Sequence, residues 1–384
     1  MKKRIRHNIL SLFANIGVAE AYLERIGFHV AVANELVKRR AVLYSKIYPH
    51  TEMICGDITV SSTYNKVIET SRKHGIDIII ATPPCQGMST AGEQKENDER
   101  NKLILPAIDA ILELSPQYAM IENVSNFINT SIEYEGDRKL LVDIIKEKLG
   151  QLYTISFNII NTEDYGVPQS RERMIILLSR LDMAEWTLPE KNKKIVSLRD
   201  AIGWIPQIDP FVKDISESDF DKLFPNYEER RKKALEISRW NIPPVHIYRQ
   251  VETMMHTPSG QTAFDNPVHK PMKKDGTFVK GYRNTYKRQR WDTPAYTVTM
   301  DNRKISSQGN VHPGRFIRHG DHGEDLYSDP RTLTLYELML VMSIPKDWAL
   351  PHNAEEAFVR RIIGEGIPPL FIKKLFKNIP NGKA

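Results

Sequence analysis

The sequence predicts an α/β protein, a doubly wound sheet followed by a second, smaller and irregular domain. Three observations lead there. The first half alternates short apolar runs with helix-like periodicity. Two of those runs, Asp77-Ile78-Ile79-Ile80-Ala81 and Tyr118-Ala119-Met120-Ile121, are compact and apolar, as strands buried in parallel sheets are. From about Pro189 the periodicity stops, and Pro, Trp and charged residues are scattered without a sustained pattern.

Taken in order, residues 9–13 read as a strand, 18–26 as a helix, 29–33 as a strand and 36–48 as a helix. The strands at 77–81 and 118–121 enclose a helix at 103–114, and 153–160 and 174–178 read as two more strands around a polar loop. Periodicity returns at 333–342 and at 369–376. The expected division is a first domain over 1–188, completed by 355–384, and a second domain over 189–354. In a sheet of this kind ligands bind beyond the carboxyl ends of the strands, so candidate residues are sought there.

Composition narrows the classes. Of 384 residues, 41% are hydrophobic and 27% charged, as in a soluble globular protein. A net charge of +6 permits a polyanionic partner without requiring one. Two cysteines, Cys55 and Cys85, can build neither a disulfide framework nor a zinc site, which fits a reducing cytosol. The start resembles a secretion signal only superficially: Ile9, Leu10, Leu12 and Phe13 are soon followed by Glu20 and Glu24, without a small-residue cleavage site. No run approaches the ~20 apolar residues that cross a membrane.

Four short pieces sit at predicted strand ends. Pro83-Pro84-Cys85-Gln86-Gly87 follows a strand directly, and its prolines and polar residues argue for an exposed cysteine rather than a buried one. Cys55 has no such setting. Glu122-Asn123-Val124 ends the next strand, so its carboxylate faces the same crevice. In Gln169-Ser170-Arg171-Glu172-Arg173 two arginines at i and i+2 on an extended segment point the same way. The fourth piece, Phe13-Ala14-Asn15-Ile16-Gly17, turns from the first strand, and Glu35 follows about twenty residues later, the spacing of a ribose-binding carboxylate. Further on, Lys270, Lys273, Lys274, Lys280, Arg283, Lys287, Arg288 and Arg290 are interleaved with Tyr282, Tyr286 and Trp291 against Asp275 alone. Such a run is either a solvated face or a phosphate-contacting module.

In this order, these pieces resemble the DNA cytosine carbon-5 methyltransferase family of bacterial restriction-modification systems. The likeness continues through Arg331-Thr332-Leu333-Thr334 to Gly364-Glu365-Gly366, and spares roughly 190–285, where the family places its variable target-recognition region. The resemblance implies a Rossmann-like fold that uses S-adenosylmethionine, no metal, and a monomer in the bacterial cytosol or nucleoid. Its partner would be double-stranded DNA, with a cognate restriction endonuclease as a functional companion. It implies Cys85 as the nucleophile, Glu122 at the cytosine N3 and amino group, and Arg171 and Arg173 at the active site, with Arg173 toward O2. Cofactor contacts would come from Phe13, Ala14, Asn15, Ile16, Gly17, Glu35, Asp57, Ile58, Pro83 and Glu365. DNA contacts would come from Gln86, from Ser89 and Arg100 of the loop over 89–101, and from Lys273, Lys274, Arg283, Lys287 and Arg288. Asn15 and Val18 stand where the family usually has glycine, Ala81-Thr82 where it has Gly-Gly, and Glu365 where it has asparagine. Transfer-RNA methylation and an inactive DNA-binding scaffold are the alternatives. The long region over 190–330 speaks against the first, and the intact Cys85 and Glu122 against the second.

Overall fold

The computed structural model describes residues 7–84, 98–320 and 324–380. Alternating strands and helices open the chain: β1 (His7–Leu12), β2 (Phe28–Glu35), α1 (Lys38–Ile47), β3 (Glu52–Cys55), α2 (Ser61–His74), β4 (Ile78–Ala81), α3 (Leu105–Leu114) and β5 (Tyr118–Asn123). A small hairpin, β6 (Ser131–Tyr134) and β7 (Asp137–Leu140), leads into α4 (Leu141–Leu149), β8 (Tyr153–Asn161) and β9 (Glu172–Arg180). Among the described residues the main sheet has seven strands in the order β3-β2-β1-β4-β5-β9-β8. The first five run parallel, and β9 is antiparallel to both neighbours. Strand order reverses between β1 and β4, which opens a crevice at their carboxyl ends.

Both faces of the sheet are buried, which is why its strands read as continuous apolar runs. One face sets Leu10, Leu12, Val32, Ile79, Ile121 and Ile176 against α2, α3 and α4. The other sets Ile9, Val30, Ile78, Met120 and Ile175 against Trp186 and the last helix, α11 (Pro369–Lys377). Each fully buried Ile or Leu contributes roughly 1.5–3 kcal/mol. Trp186 packs edge-on against Phe376 and donates its Nε1–H to the Leu375 carbonyl at 3.0 Å, fastening the chain's end to the sheet.

The expected helix at 18–26 is instead a succession of tight turns ending in a short 3-10 helix at Glu24–Ile26. Its N–H groups reach back three residues, as from Glu20 to Gly17 and from Leu23 to Glu20. Apolar spacing does not distinguish such turns from an α-helix. The structure also adds α2, α4 and β3, whose apolar signals are short.

The second region carries α5 (Leu198–Ile202), α6 (Glu217–Leu223), α7 (Tyr227–Ile237), α8 (Tyr248–Met255) and a short exposed hairpin, β10 (Phe316–Arg318) with β11 (Leu326–Tyr327). Val212, Phe224, Val251, Met254, Ala263, Tyr286, Ile305 and Val311 form its own core. A third core runs across both expected boundaries. It joins Ile16, Val18, Leu43 and Ile47 to Leu198, Ile202, Trp291 and Val298, and to α9 (Leu335–Val341) and α10 (Glu356–Ile363).

Buried charge lies beside that core. The Arg331 guanidinium is 2.9 Å from Asp329 and 2.8 Å from Glu337, all three fully enclosed. Glu337 also forms a capping box with Thr334 at the start of α9. Here one sequence expectation fails. Arg288 is not a surface residue: it is 0% exposed and donates to the carbonyls of Met254 at 2.7 Å and His312 at 2.8 Å. A side chain enclosed in this way braces the domain and cannot meet a phosphate.

Candidate active site

The strand order arrays the candidate residues along one edge of the sheet. Asp57 follows β3, Glu35 ends β2, the turn at 13–17 follows β1, Pro83 follows β4, and Glu122 lies near the end of β5.

The turn after β1 has an unusual backbone. Phe13, Asn15 and Gly17 have φ of 59°, 53° and 76°, all in the left-handed region. Glycine is obligatory at 17, because a Cβ there would lie 2.2 Å from the Tyr48 ring. Asparagine is among the residues that tolerate this conformation at 15. The Ala14 N–H donates to the Asn34 carbonyl at 2.9 Å, which ties the turn to β2, and Ile16 is wholly buried beneath it.

Glu35 reads the turn directly. One carboxylate oxygen accepts the Asn15 N–H at 2.9 Å and the other accepts the Val37 N–H at 2.8 Å. Burial raises its pKa, while these N–H groups and the Arg40 charge oppose the rise. Asp57 accepts from the Thr59 N–H and hydroxyl at 2.9 and 2.7 Å, above the buried Ile58. Asp57 and Ile58 line an open cleft of about 860 Å³ that Arg100 and Leu103 share.

At the other end of the crevice, β4 delivers the prolines. The Thr82 N–H donates to the Leu12 carbonyl at 3.3 Å, and the Asn123 side-chain amide donates to the Pro83 carbonyl at 3.1 Å. Asn123 therefore links the Glu-Asn-Val piece to the Pro-Pro-Cys piece. Cys85, Gln86 and Ser89 lie outside the described residues.

The antiparallel register of β9 builds the next contact. Asn123 pairs with Met174 and Glu122 with Ile175, so Arg173 arrives at the carboxyl end of β5. Its Nε lies 2.9 Å from Glu122 Oε1, with both side chains largely enclosed. Burial raises the Glu122 pKa above the ordinary carboxylate value, and the charges of Arg173 and Arg171 hold it back. The second arginine does not touch Glu122 in this way. Arg171 is 1% exposed and donates to the carbonyls of Val298 and Gly364, both at 2.9 Å. It contributes charge from behind and braces the segment that carries Arg173.

Glu365 lies beside the turn, where its carboxylate accepts from the Asn15 amide and from Arg40, each at 3.0 Å. Arg40 and Tyr48 escaped the sequence reading, and Asn123 entered it only as part of the Glu-Asn-Val piece, because each acts on a segment remote from its own. Tyr48 donates to the Gly17 carbonyl at 2.5 Å and accepts from Trp348 Nε1 at 3.0 Å.

The candidate DNA-contacting cations fall in different settings. Lys273 and Lys274 are exposed on a turn closed by the Lys273 N–H to Thr277 carbonyl bond at 2.7 Å. Arg283 pairs with Asp265 at 2.5 Å, Lys287 lies over the Tyr296 ring, and Arg100 pairs with Asp98. Tyr282 between them is 81% exposed.

Comparison with known proteins fits this arrangement. Over its whole length the chain is 41% identical to the Type II methyltransferase M1.HgaI of Avibacterium volantium, covering 99% of each protein. It is 24% identical to the Type II methyltransferase M1.HphI of Haemophilus parahaemolyticus over 95% of this chain and 84% of that protein. Its fold superposes, with a TM-score of 0.62 at 20% identity, on a structure described as a DNA modification methyltransferase encoded within an E. coli prophage, covering 97% of this chain and 98% of that one. DNMT2 of Spodoptera frugiperda shares the fold with a TM-score of 0.58 at 16% identity, over 97% of this chain and 99% of that one. The family model described as C-5 cytosine-specific DNA methylase matches residues 7–381. The chain belongs to that family.

Proposed function

We propose that the protein methylates carbon 5 of a cytosine within a short duplex DNA sequence, with Cys85 as nucleophile and S-adenosylmethionine as methyl donor. The observation that supports this most is the enclosed Glu122–Arg173 pair at the strand end that Asn123 ties to Pro83. Carbon 5 of cytosine is too poor a nucleophile to take a methyl group unaided. A thiolate adding at carbon 6 makes the ring an enamine, and the same sulfur later leaves as carbon 5 loses its proton. Negative charge gathers at N3 during the addition. A carboxyl group whose pKa is raised by burial is suited to share a proton there, and Arg173 would stabilise charge at O2.

The residues at the other end of the crevice fit the cofactor. Both Glu35 oxygens already accept one N–H and each retains a lone pair for a ribose hydroxyl, while the left-handed turn beside it leaves room for no larger residue at 17. Asp57 and Ile58 are suited to the adenine. Bound there, S-adenosylmethionine would supply the electrophilic methyl group. Glu35→Ala is expected to weaken cofactor binding by about 1.5–3 kcal/mol, the worth of hydrogen bonds to a charged group. Calorimetry with S-adenosylhomocysteine checks this, and unchanged affinity would place the ribose elsewhere.

The target base must leave the helix, at a cost of a few kcal/mol, so the second region has to grip the duplex. The exposed Lys273 and Lys274 are suited to phosphates rather than base edges. Neutralising both is expected to weaken binding to cognate and scrambled duplexes alike, and to flatten the log–log salt dependence by about one unit per lost contact. Lost discrimination at an unchanged salt slope would make them base readers instead. Among relatives, the Type II methyltransferases favour DNA as the substrate over RNA. A companion endonuclease, a monomeric state and a cytoplasmic location accord with that reading. No helix among the described residues is long and apolar enough to cross a membrane.

A further inference from the structure

The turn at 13–18 is fastened to the C-terminal segment through side chains that the family does not usually have at those places. Asn15 donates its amide to Glu365 Oε2 at 3.0 Å across 350 positions of sequence. Arg40, from the first turn of α1, donates to the same carboxylate at 3.0 Å. One residue further on, Gly366 abuts Val18: a Cβ at 366 would lie 3.2 Å from the Val18 Cβ. One residue before, the Gly364 carbonyl accepts from Arg171, and a Cβ at 364 would lie 2.3 Å from the Thr299 carbonyl oxygen. The three residues 364–366 thus touch the active-site arginine segment on one side and the turn on the other.

The exchanges match one another chemically. An asparagine at 15 brings an N–H donor that glycine lacks, and a glutamate at 365 brings a longer, purely accepting group that reaches it. The carboxylate would be poorly tolerated where it is only about one-fifth exposed without a cation, and Arg40 supplies one. Val18, where the family usually has glycine, packs against a glycine, Gly366, on the opposing segment.

We propose that Asn15, Glu365 and Arg40 form a charged latch that holds the turn in its cofactor-binding shape, so that residues 15 and 365 are coupled determinants of cofactor affinity. This rests on the reading that the turn binds S-adenosylmethionine. Asn15 and Glu365 are positioning residues here. Asn15 spends its backbone N–H on Glu35 and its side chain on Glu365, so the latch fixes the geometry of the carboxylate assigned to the ribose.

The test is calorimetry with S-adenosylhomocysteine on Asn15→Gly, Glu365→Ala, Glu365→Gln and the Asn15→Gly/Glu365→Ala double variant, with melting temperatures recorded beside. Glycine is at home at φ 53°, so Asn15→Gly is expected to fold. Each of Asn15→Gly and Glu365→Ala is expected to weaken binding on the order of 10-fold, as loss of a charged hydrogen bond does. The double variant should be no weaker than the poorer single one, because both remove one contact. Glu365→Gln keeps an acceptor for Asn15 but loses the charge that faces Arg40, and should recover part of the affinity lost in Glu365→Ala. Wild-type affinity in Glu365→Ala with a lowered melting temperature would reduce the contact to a structural tie and overturn the latch. Multiplying effects in the double variant would overturn the coupling. Failure of the unaltered protein to bind would instead overturn the cofactor reading itself.

Discussion

Replacing Cys85 by serine is expected to abolish methyl transfer while leaving the fold intact. The substitution changes one atom, and a hydroxyl at neutral pH carries almost none of the anion that a thiolate supplies. The loss should be on the order of 10³-fold or more, the scale seen when a nucleophile acting as part of a unit is removed. The adduct can be observed directly. Duplex DNA with 5-fluorocytosine at the target should trap a covalent complex with the unaltered protein, because fluorine cannot leave from carbon 5 as a proton does. Denaturing electrophoresis reads it. A trapped complex formed by the Cys85→Ser protein would mean that another residue attacks.

The second largest effect is expected at Glu122. Glutamine preserves the shape and still accepts from Arg173, but it cannot pass a proton to N3. Methyl transfer should fall by about 10²–10⁴-fold, the usual contribution of a positioned acid. The cofactor should bind as before, since Glu122 is separated from Glu35 along the sheet edge by β1 and β4. Single-turnover measurement with saturating DNA separates the chemical step from binding. A Glu122→Gln protein that methylates at the unaltered rate would remove the carboxyl from the chemistry and leave the Glu122–Arg173 pair a structural one.

Much of this was legible because chemistry concentrates where strands end. Apolar runs such as 77–81 and 118–121 announce buried strands, and the residue just beyond such a strand is held at a crevice whatever the rest of the fold does. That is why Glu35 and Glu122 could be chosen before any geometry was known. The two arginines of 171–173 show the limit. Their spacing tells that they share a direction, but only the antiparallel register of β9 decides that one meets Glu122 while the other spends its hydrogen bonds on Val298 and Gly364. Arg288 shows it more sharply. In a run of lysines and arginines it reads as one more surface cation, yet it is enclosed among carbonyls. Charge density along a chain carries no information about which members turn inward. Arg40 was invisible for a different reason, since its partner lies 325 positions away.

The third core, shared between α9, α10 and the residues beneath the turn at 13–17, bears on how such proteins can acquire new recognition sites. A chimera cut near 189 and 355 would divide Leu198 and Ile202 from Ile16 and Leu43, and would separate Arg360 from the Asn302 and Leu333 carbonyls and Arg171 from the Val298 carbonyl. Each stranded charge costs several kcal/mol. A cut that retains residues up to Ile208 and resumes before Trp291 leaves Trp291 and Val298 in that shared core, and keeps the Arg331 cluster and its bond to the Ile208 carbonyl whole. Exchange of the interior of the second region should therefore preserve the fold far better than exchange of the region as a block.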